Sequence, residues 1–362
     1  MTLKTIKNTP PPFPLDPQLS IITPPGDYDG DGRMDLAVFR PMDGKWYIKP
    51  SGGGADIVKA WGQATDALPW PEYTLTPSTT VSDYDSDRKS DVVVYRPSSG
   101  TWFSRLSGGG WDKVTQFGNS TDLPVPRDYD GDGMTDVAVF RVDANQNGLW
   151  FSRQSAGGAD LVVALGVGSD RAVPGDYDGD GRADPAVYRP SNGTWLSHLS
   201  AGGPDLAIQF GGSTDIPVPG DYDGDGRTDP AVFRPSNGTW FSRPSGGGPD
   251  LVVQFGVSTD RVVAGDYDGD RRTDVAVFRS DGSQNGTWFA HLSGGGGDLV
   301  VPFGVGSDRL VPADYDGDRR VDPTLFRVDS SQNGRWFSRS SLGRPDQVTQ
   351  FGVQSDVTPD SK

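Results

Sequence analysis

A nine-residue acidic loop recurs seven times along this 362-residue chain, and no other feature restricts the fold as tightly. The clearest copy is Asp221-Tyr222-Asp223-Gly224-Asp225-Gly226-Arg227-Thr228-Asp229, and the others begin at Asp27, Asp83, Asp128, Asp176, Asp266 and Asp314. Every copy has Asp at positions 1, 3, 5 and 9 and Tyr at position 2. The starts are 56, 45, 48, 45, 45 and 48 residues apart. Self-similarity at that period marks a repeat architecture, so the chain reads as one array despite a length that suggests two or three domains.

The unit around the loop is uniform. In Ile216 to Gly256 an Ile-Pro-Val-Pro segment precedes the loop and Pro230-Ala231-Val232-Phe233-Arg234 follows it. An Asn-Gly turn, Thr239-Trp240-Phe241-Ser242-Arg243, a Ser-Gly-Gly-Gly turn and Asp250 to Gly256 complete it. Short β-branched and aromatic runs between Gly, Asn and Pro read as four strands, A to D, and no segment has a helical period. The expected fold class is therefore all-β, a seven-bladed β-propeller of four-stranded antiparallel blades with the acidic loops between strands A and B. The expected boundaries are a flexible Pro-rich arm over 1–14, a single propeller over 15–356 and a tail over 357–362. Blades fall at about 15–62, 76–118, 122–166, 170–211, 215–256, 260–304 and 308–352. Ring closure then rests on blade 1 packing against blade 7.

Composition agrees, with 34% hydrophobic residues, 50 Gly and 30 Pro. No run approaches the apolar length of a membrane span, so membrane insertion is not expected, and no basic stripe suggests nucleic acid. The absence of Cys says nothing about compartment. No signal-peptide pattern is visible at the N-terminus.

So many carboxylates in one short loop repel one another unless a cation sits among them, and hard oxygen donors suit calcium. The expected donors, with the position 7 carbonyl included, are these. Blade 1 offers Asp27, Asp29, Asp31, Arg33 and Asp35, and blade 2 offers Asp83, Asp85, Asp87, Lys89 and Asp91. Blade 3 offers Asp128, Asp130, Asp132, Met134 and Asp136, and blade 4 offers Asp176, Asp178, Asp180, Arg182 and Asp184. Blade 5 offers Asp221, Asp223, Asp225, Arg227 and Asp229, and blade 6 offers Asp266, Asp268, Asp270, Arg272 and Asp274. Blade 7 offers Asp314, Asp316, Asp318, Arg320 and Asp322. Seven Ca²⁺ would bring the formal charge from −16 to −16 + 14 = −2, so the acidity is ligand charge. Ser86 and Arg88 in the second loop, and Arg271 and Arg319 in the last two, stand where Gly makes a sharp turn. The sites starting at Asp83, Asp266 and Asp314 are expected to bind more weakly, the first weakest. The strand flanks and the missing Glu at position 12 set these loops apart from EF-hands.

Strand B ends in Arg and strand C carries Trp in every blade. A Trp beside an Arg can stack a sugar, which makes Trp102, Trp150, Trp195, Trp240, Trp288 and Trp336 candidate ligand residues. The alternative is that Trp fills the space between blades while Arg stacks on it or caps carbonyls. His198 and His291 occupy a position that is Lys or Arg in the other blades, so they read as substitutes there. The Asn-Gly sequons at Asn192, Asn237 and Asn285 read as turns in which Asn supplies tolerance of positive φ. The insertion Leu68 to Leu75 breaks the symmetry most and adds Trp70 and Tyr73 as candidate ligand residues, beside Glu72, the one Glu of the chain.

The unit Phe-Gly … Asp-x-Asp-x-Asp-Gly-x-x-Asp resembles the FG-GAP (VCBS-type) repeat over roughly residues 20–356. That repeat builds the integrin α-subunit propeller and bacterial secreted propellers, and is similar to units of fungal seven-bladed lectins. The resemblance implies calcium in the A–B loops and ligand recognition on the opposite face or between blades. The expected function is a calcium-binding extracellular or cell-surface recognition and adhesion module for carbohydrate or a surface protein. A calcium-stabilised scaffold without small ligand is the alternative. Catalysis is not expected, because the single Glu and two repeat-position His provide no paired acid and base. The residues leave the oligomeric state open.

Overall fold

The computed structural model describes residues 26–63, 83–87, 92–106, 108, 111–310, 312, 314–316, 318–331, 333–341 and 343–353. These form an all-β, seven-bladed ring of antiparallel four-stranded blades, with no helix among the described residues. Blades 3 to 7 show all four strands. Blades 1 and 2 show strands B to D, because the segments that would supply their strand A lie outside the described residues. So do the expected N-terminal arm, the tail and the 68–75 insertion.

Blade 5 is representative: strand A at Ile216–Pro217, B at Ala231–Arg234, C at Thr239–Ser242 and D at Leu251–Gln254, hydrogen-bonded in that order. Strand A is short because Pro217 and Pro219 have no N–H to offer a ladder. Strand B is buried on both faces, with Val232 and Phe233 both 0% exposed, whereas Val252 on strand D is 60% exposed. Burial thus falls from B outward, although strand D, with Leu251, Val252 and Val253, is as apolar as strand B.

Cross-strand register pairs Phe233 with Trp240, whose rings lie 5.2 Å apart. The same pair recurs as Phe39–Trp46, Tyr95–Trp102, Phe140–Trp150, Tyr188–Trp195, Phe278–Trp288 and Phe326–Trp336. The aromatic pairs of blades 2, 3, 4, 5 and 7 also receive a strand B Val from the next blade. Val232 of blade 5 packs into the blade 4 cluster, and Val38 of blade 1 packs against Tyr315, Phe326 and Trp336 of blade 7.

Backbone hydrogen bonds repeat this handshake near the loops. The N–H of loop position 8 donates to the position 1 carbonyl of the preceding blade, as in Thr228 to Asp176 (2.6 Å) and Thr273 to Asp221 (2.6 Å). Met34 N–H donates in the same way to the Asp314 carbonyl at 2.9 Å, which closes blade 1 onto blade 7. Among the described residues, blades 1 and 7 thus meet through this hydrogen bond and the Val38 packing.

The B–C turns correct one expectation. Positive φ falls on Gly193 (68°) and Gly238 (67°), not on Asn192 or Asn237. The Asn side chains instead accept the N–H two residues on, Thr194 at 3.2 Å and Thr239 at 3.1 Å, which is Asx-turn chemistry. Gly is required because a Cβ at Gly238 would stand 2.0 Å from the Gly256 carbonyl oxygen. In the longer turns of blades 3 and 6, Gln146 and Gln284 (66° each) take the left-handed conformation.

Candidate metal centres and inter-blade grooves

The acidic loops fold as a net of backbone-to-carboxylate hydrogen bonds. In blade 5, Asp221 accepts the N–H groups of Gly224 (2.6 Å) and Gly226 (2.9 Å), and Asp225 accepts that of Arg227 (2.8 Å). Asp229, 0% exposed, accepts Tyr222 N–H at 2.8 Å and Ser245 N–H at 2.6 Å. The Ser245 hydroxyl donates to Asp225 and Gly246 N–H to Asp223. Position 9 therefore clasps the A–B loop to the C–D turn of its own blade. Ser51, Ser155, Ser200, Ser293 and Ser341 N–H repeat the clasp onto Asp35, Asp136, Asp184, Asp274 and Asp322.

Three of the expected carboxylates converge in each of five loops. Asp27, Asp29 and Asp35 present oxygens within 4.8 Å of one another, as do Asp83, Asp85 and Asp87, and Asp128, Asp130 and Asp136. Asp176, Asp178 and Asp180 do the same, as do Asp221, Asp223 and Asp225, and two further groups behave likewise. Lys89 and Asp91 lie outside the described residues. Burial pushes the carboxyls of Asp136, Asp184 and Asp229 up to about 6, and those of Asp35 and Asp322 up to about 7. Facing carboxylates add to the rise, and N–H donors oppose it.

An all-oxygen, carboxylate-rich and partly buried donor set fits calcium. The hydrogen bonds on Asp229 occupy two of about four lone-pair positions of a carboxylate, which leaves capacity for a cation. In blade 7, Asp316 Oδ1 is buried without a hydrogen-bond partner among the described residues, and a cation would satisfy it.

Two loop positions differ in why they favour Gly. At position 4 a positive φ (81–83°) and a close neighbour act together. A Cβ on Gly131, Gly179, Gly224 or Gly269 would meet the position 7 Arg of the next blade at 2.7–3.1 Å. Ser86 stands at this position, with φ 64°, where the next blade offers Met134 in place of Arg. At position 6 the backbone decides, because a Cβ on Gly226 (φ 85°) would meet nothing within 4 Å. Arg271 (φ 70°) and Arg319 (φ 69°) keep the same conformation and still donate their N–H to Asp266 and Asp314. Only conformational strain is left to relieve there. Arg271→Gly and Arg319→Gly are each expected to stabilise the fold by about 1 kcal/mol, measured by urea unfolding. A destabilising outcome would mean that the Arg side chains make contacts that outweigh the strain.

The Trp–Arg expectation needs correction. Trp102, Trp150, Trp195, Trp240, Trp288 and Trp336 are all 0–2% exposed, and four of them donate Nε1–H to the carbonyl of a Phe near or just past the end of strand D, as in Trp240 to Phe255 at 2.8 Å. At that burial the rings serve the core, although Trp336 also lines a groove between blades 7 and 1. The strand B Arg stacks instead on the residue after Trp: Arg234 lies over Phe241 at 4.5 Å and Arg327 over Phe337 at 4.9 Å. Its guanidinium is held by an Asp that the sequence reading left unassigned. Arg141, Arg189, Arg234, Arg279 and Arg327 each make a two-point ion pair with Asp122, Asp170, Asp215, Asp260 and Asp308 at 2.6–3.2 Å. Trp70 and Tyr73 lie outside the described residues. His198 and His291 pair with Asp205 and Asp298 (2.7 Å each), as Arg243 pairs with Asp250, so they do substitute for a cation.

Two seams between blades are open. A groove of about 200 Å³ lies between blades 7 and 1, lined among others by Lys49, Ser51, Ser338, Gln347 and Thr349. A groove of about 180 Å³ lies between blades 2 and 3, lined by Lys113, Thr115, Thr135, Arg153, Gln154 and Ser155, with Val137. The two occupy equivalent places in the repeat, and their cause is local. The strand D residues facing the next blade are Leu161/Val163, Leu206/Ile208 and Leu299/Val301 in blades 3, 4 and 6, where they join the apolar clusters. Blades 2 and 7 carry Lys113/Thr115 and Gln347/Thr349 instead.

No family model matches this chain, and no curated protein matches it. Solved structures resemble it in fold. A provisional 6-phosphogluconolactonase from Bacteroides uniformis ATCC 8492 superposes with a TM-score of 0.51 at 12% identity, over 90% of this chain and 98% of that one. An Aleuria aurantia lectin variant in complex with Fucα1-6GlcNAc gives 0.40 at 13% identity, over 73% and 92%. TolB from Acinetobacter baumannii gives 0.45 at 12% identity over 74% of this chain, which spans 65% of TolB. At these identities the likeness is one of fold alone.

Proposed function

We propose that this chain is a calcium-braced recognition propeller of the FG-GAP/VCBS type. It works outside the cell or at its surface and binds carbohydrate in grooves between blades. The calcium part is supported by converging carboxylates in five of the loops and by the buried position 9 Asp of blades 1 and 3 to 7, whose charge is costly without a cation. Calcium at the concentrations found outside cells fills weak loops of this kind. The recognition part is carried by one observation: seams 2/3 and 7/1 are open and present hydroxyls, amides and cations beside apolar residues such as Val137, Tyr315 and Trp336, where sister blades place aliphatic side chains. Such linings suit a polyhydroxylated ligand, and binding rather than turnover is the proposed role. A glycan array probed with calcium-saturated and chelated protein tests this reading. Calcium-dependent signal on a defined sugar is expected; a blank array from folded, calcium-loaded protein would overturn it.

A second reading, a self-assembling scaffold, is favoured by the strand D rims. Val58, Val114, Val162, Val252, Val300 and Val348 are 53–61% exposed at one repeated position. Association that rises with calcium in sedimentation, without sugar binding, would select it.

A further inference from the structure

Three of the ten Trp fall outside the sevenfold register, and one of them, Trp111, is 94% exposed. It stands in the C–D turn of blade 2, where the other blades carry Ala, Pro or Gly. Leaving so large an apolar ring in water gains nothing for the fold. Trp111 lies two residues before Lys113, the first residue of strand D of blade 2, and Lys113 and Thr115 are the pair that opens the groove toward blade 3. An exposed aromatic ring thus stands two residues along the chain from an open groove at one seam only of the two, since the seam 7/1 counterpart of Trp111 is Pro345.

The charge differs as well. Lys113 has no carboxylate partner among the described residues. Arg153, across the groove, is oriented by Asp160 at 3.1 Å and by stacking on Phe117 at 4.9 Å. In the seam 7/1 groove the strand D residue is neutral Gln347, and Lys49 is paired with Asp56 at 3.3 Å. At about 180 Å³ the 2/3 groove is below the roughly 300–1,000 Å³ usual for larger ligands, so it accepts one ring of a glycan.

From this juxtaposition we infer that the seam between blades 2 and 3 binds a carboxylate-bearing sugar residue. Trp111 stacks on the pyranose face, Lys113 meets the carboxylate, and Thr115 and Gln154 meet ring hydroxyls. The inference rests on the carbohydrate reading above and names the ligand class and the seam for it.

The test uses the full chain in calcium, with glucuronic acid as probe and glucose as neutral control, followed by tryptophan fluorescence and by NMR line broadening of the sugar. Glucuronic acid is expected to bind more tightly than glucose. Trp111→Ala is expected to weaken it roughly tenfold and to remove the fluorescence change. Lys113→Gln is expected to level the two sugars. The double variant Lys113→Leu/Thr115→Val restores the aliphatic pair of the sister blades and is expected to abolish binding while leaving the melting temperature unchanged or higher. Unaltered glucuronic acid binding in Trp111→Ala and the double variant would overturn the inference. So would equal binding of the two sugars by the unmodified chain. An array signal for other glycans without glucuronic acid binding would remove this site and leave the carbohydrate reading standing, whereas no glycan binding of any kind removes both.

Discussion

Chelating calcium at pH 7.5 is expected to lower the melting temperature by on the order of 20 °C, measured by calorimetry or by near-ultraviolet circular dichroism. A single site held at a hundredfold excess over its Kd contributes about 2.7 kcal/mol, and seven such sites act on one cooperative ring. Without metal, the buried carboxyls of Asp35, Asp136, Asp184, Asp229 and Asp322 have folded-state values of about 6 to 7 against 3.8 unfolded, chiefly through burial. A raised carboxyl of this kind contributes stability that is full below the unfolded value and is lost as pH rises through the folded one. The chelated protein is therefore expected to melt higher at pH 5 than at pH 7.5. The calcium-loaded protein should show the opposite slope, because protons then compete with the metal for the same oxygens. The two profiles should converge toward low pH. Coincident melting curves at pH 7.5, with and without chelator, would sink calcium as a structural ion.

The ring was legible because everything that makes a blade recurs. Position 2 Tyr and the strand B apolar run repeat at fixed offsets, the strand C Trp follows the loop start by 19 or 22 residues, and seven copies leave little room for another topology. The closure of blade 1 on blade 7 followed from the same offsets. What the sequence concealed was register. Whether Arg234 faces Trp240 or Phe241 depends on the turn that joins the strands. The turn pairs Arg234 with Thr239 and Phe233 with Trp240, so period-two alternation puts Arg234 on the Phe241 face and buries Trp240 on the other. The Asp partners of the strand B Arg were within reach. An Asp stands 19 residues before that Arg in blades 3 to 7, while Ile21 and Pro77 hold the place in blades 1 and 2. The open grooves were harder to see, because they arise from departures such as Lys113 and Thr115 and not from what repeats.

Replacing Asp229 distinguishes a metal ligand from a purely structural carboxylate. Asp229→Ala strands two donors, the buried Tyr222 N–H and the Ser245 N–H, at about 1–3 kcal/mol each, and removes a candidate ligand. A loss of about 2–6 kcal/mol is expected with or without calcium, and larger with it. Asp229→Asn separates the two contributions. Its amide oxygen can still accept one N–H, while its NH₂ must face the other donor, so one hydrogen bond of about 1 kcal/mol is lost. In chelator this loss is offset, because Asn carries no charge into a site that raises the Asp229 carboxyl to about 6. In calcium nothing offsets it, since a ligand charge beside the ion is gone. Asp229→Asn is therefore expected to be nearly neutral in chelator and to cost about 2–3 kcal/mol in saturating calcium, read as the urea midpoint under each condition. Equal costs under the two conditions would mean that Asp229 serves only as the clasp between loop and turn. A calcium-dependent cost would place the ion in the A–B loop and make the Asp229 carboxylate both its ligand and the link that transmits it to the C–D turn.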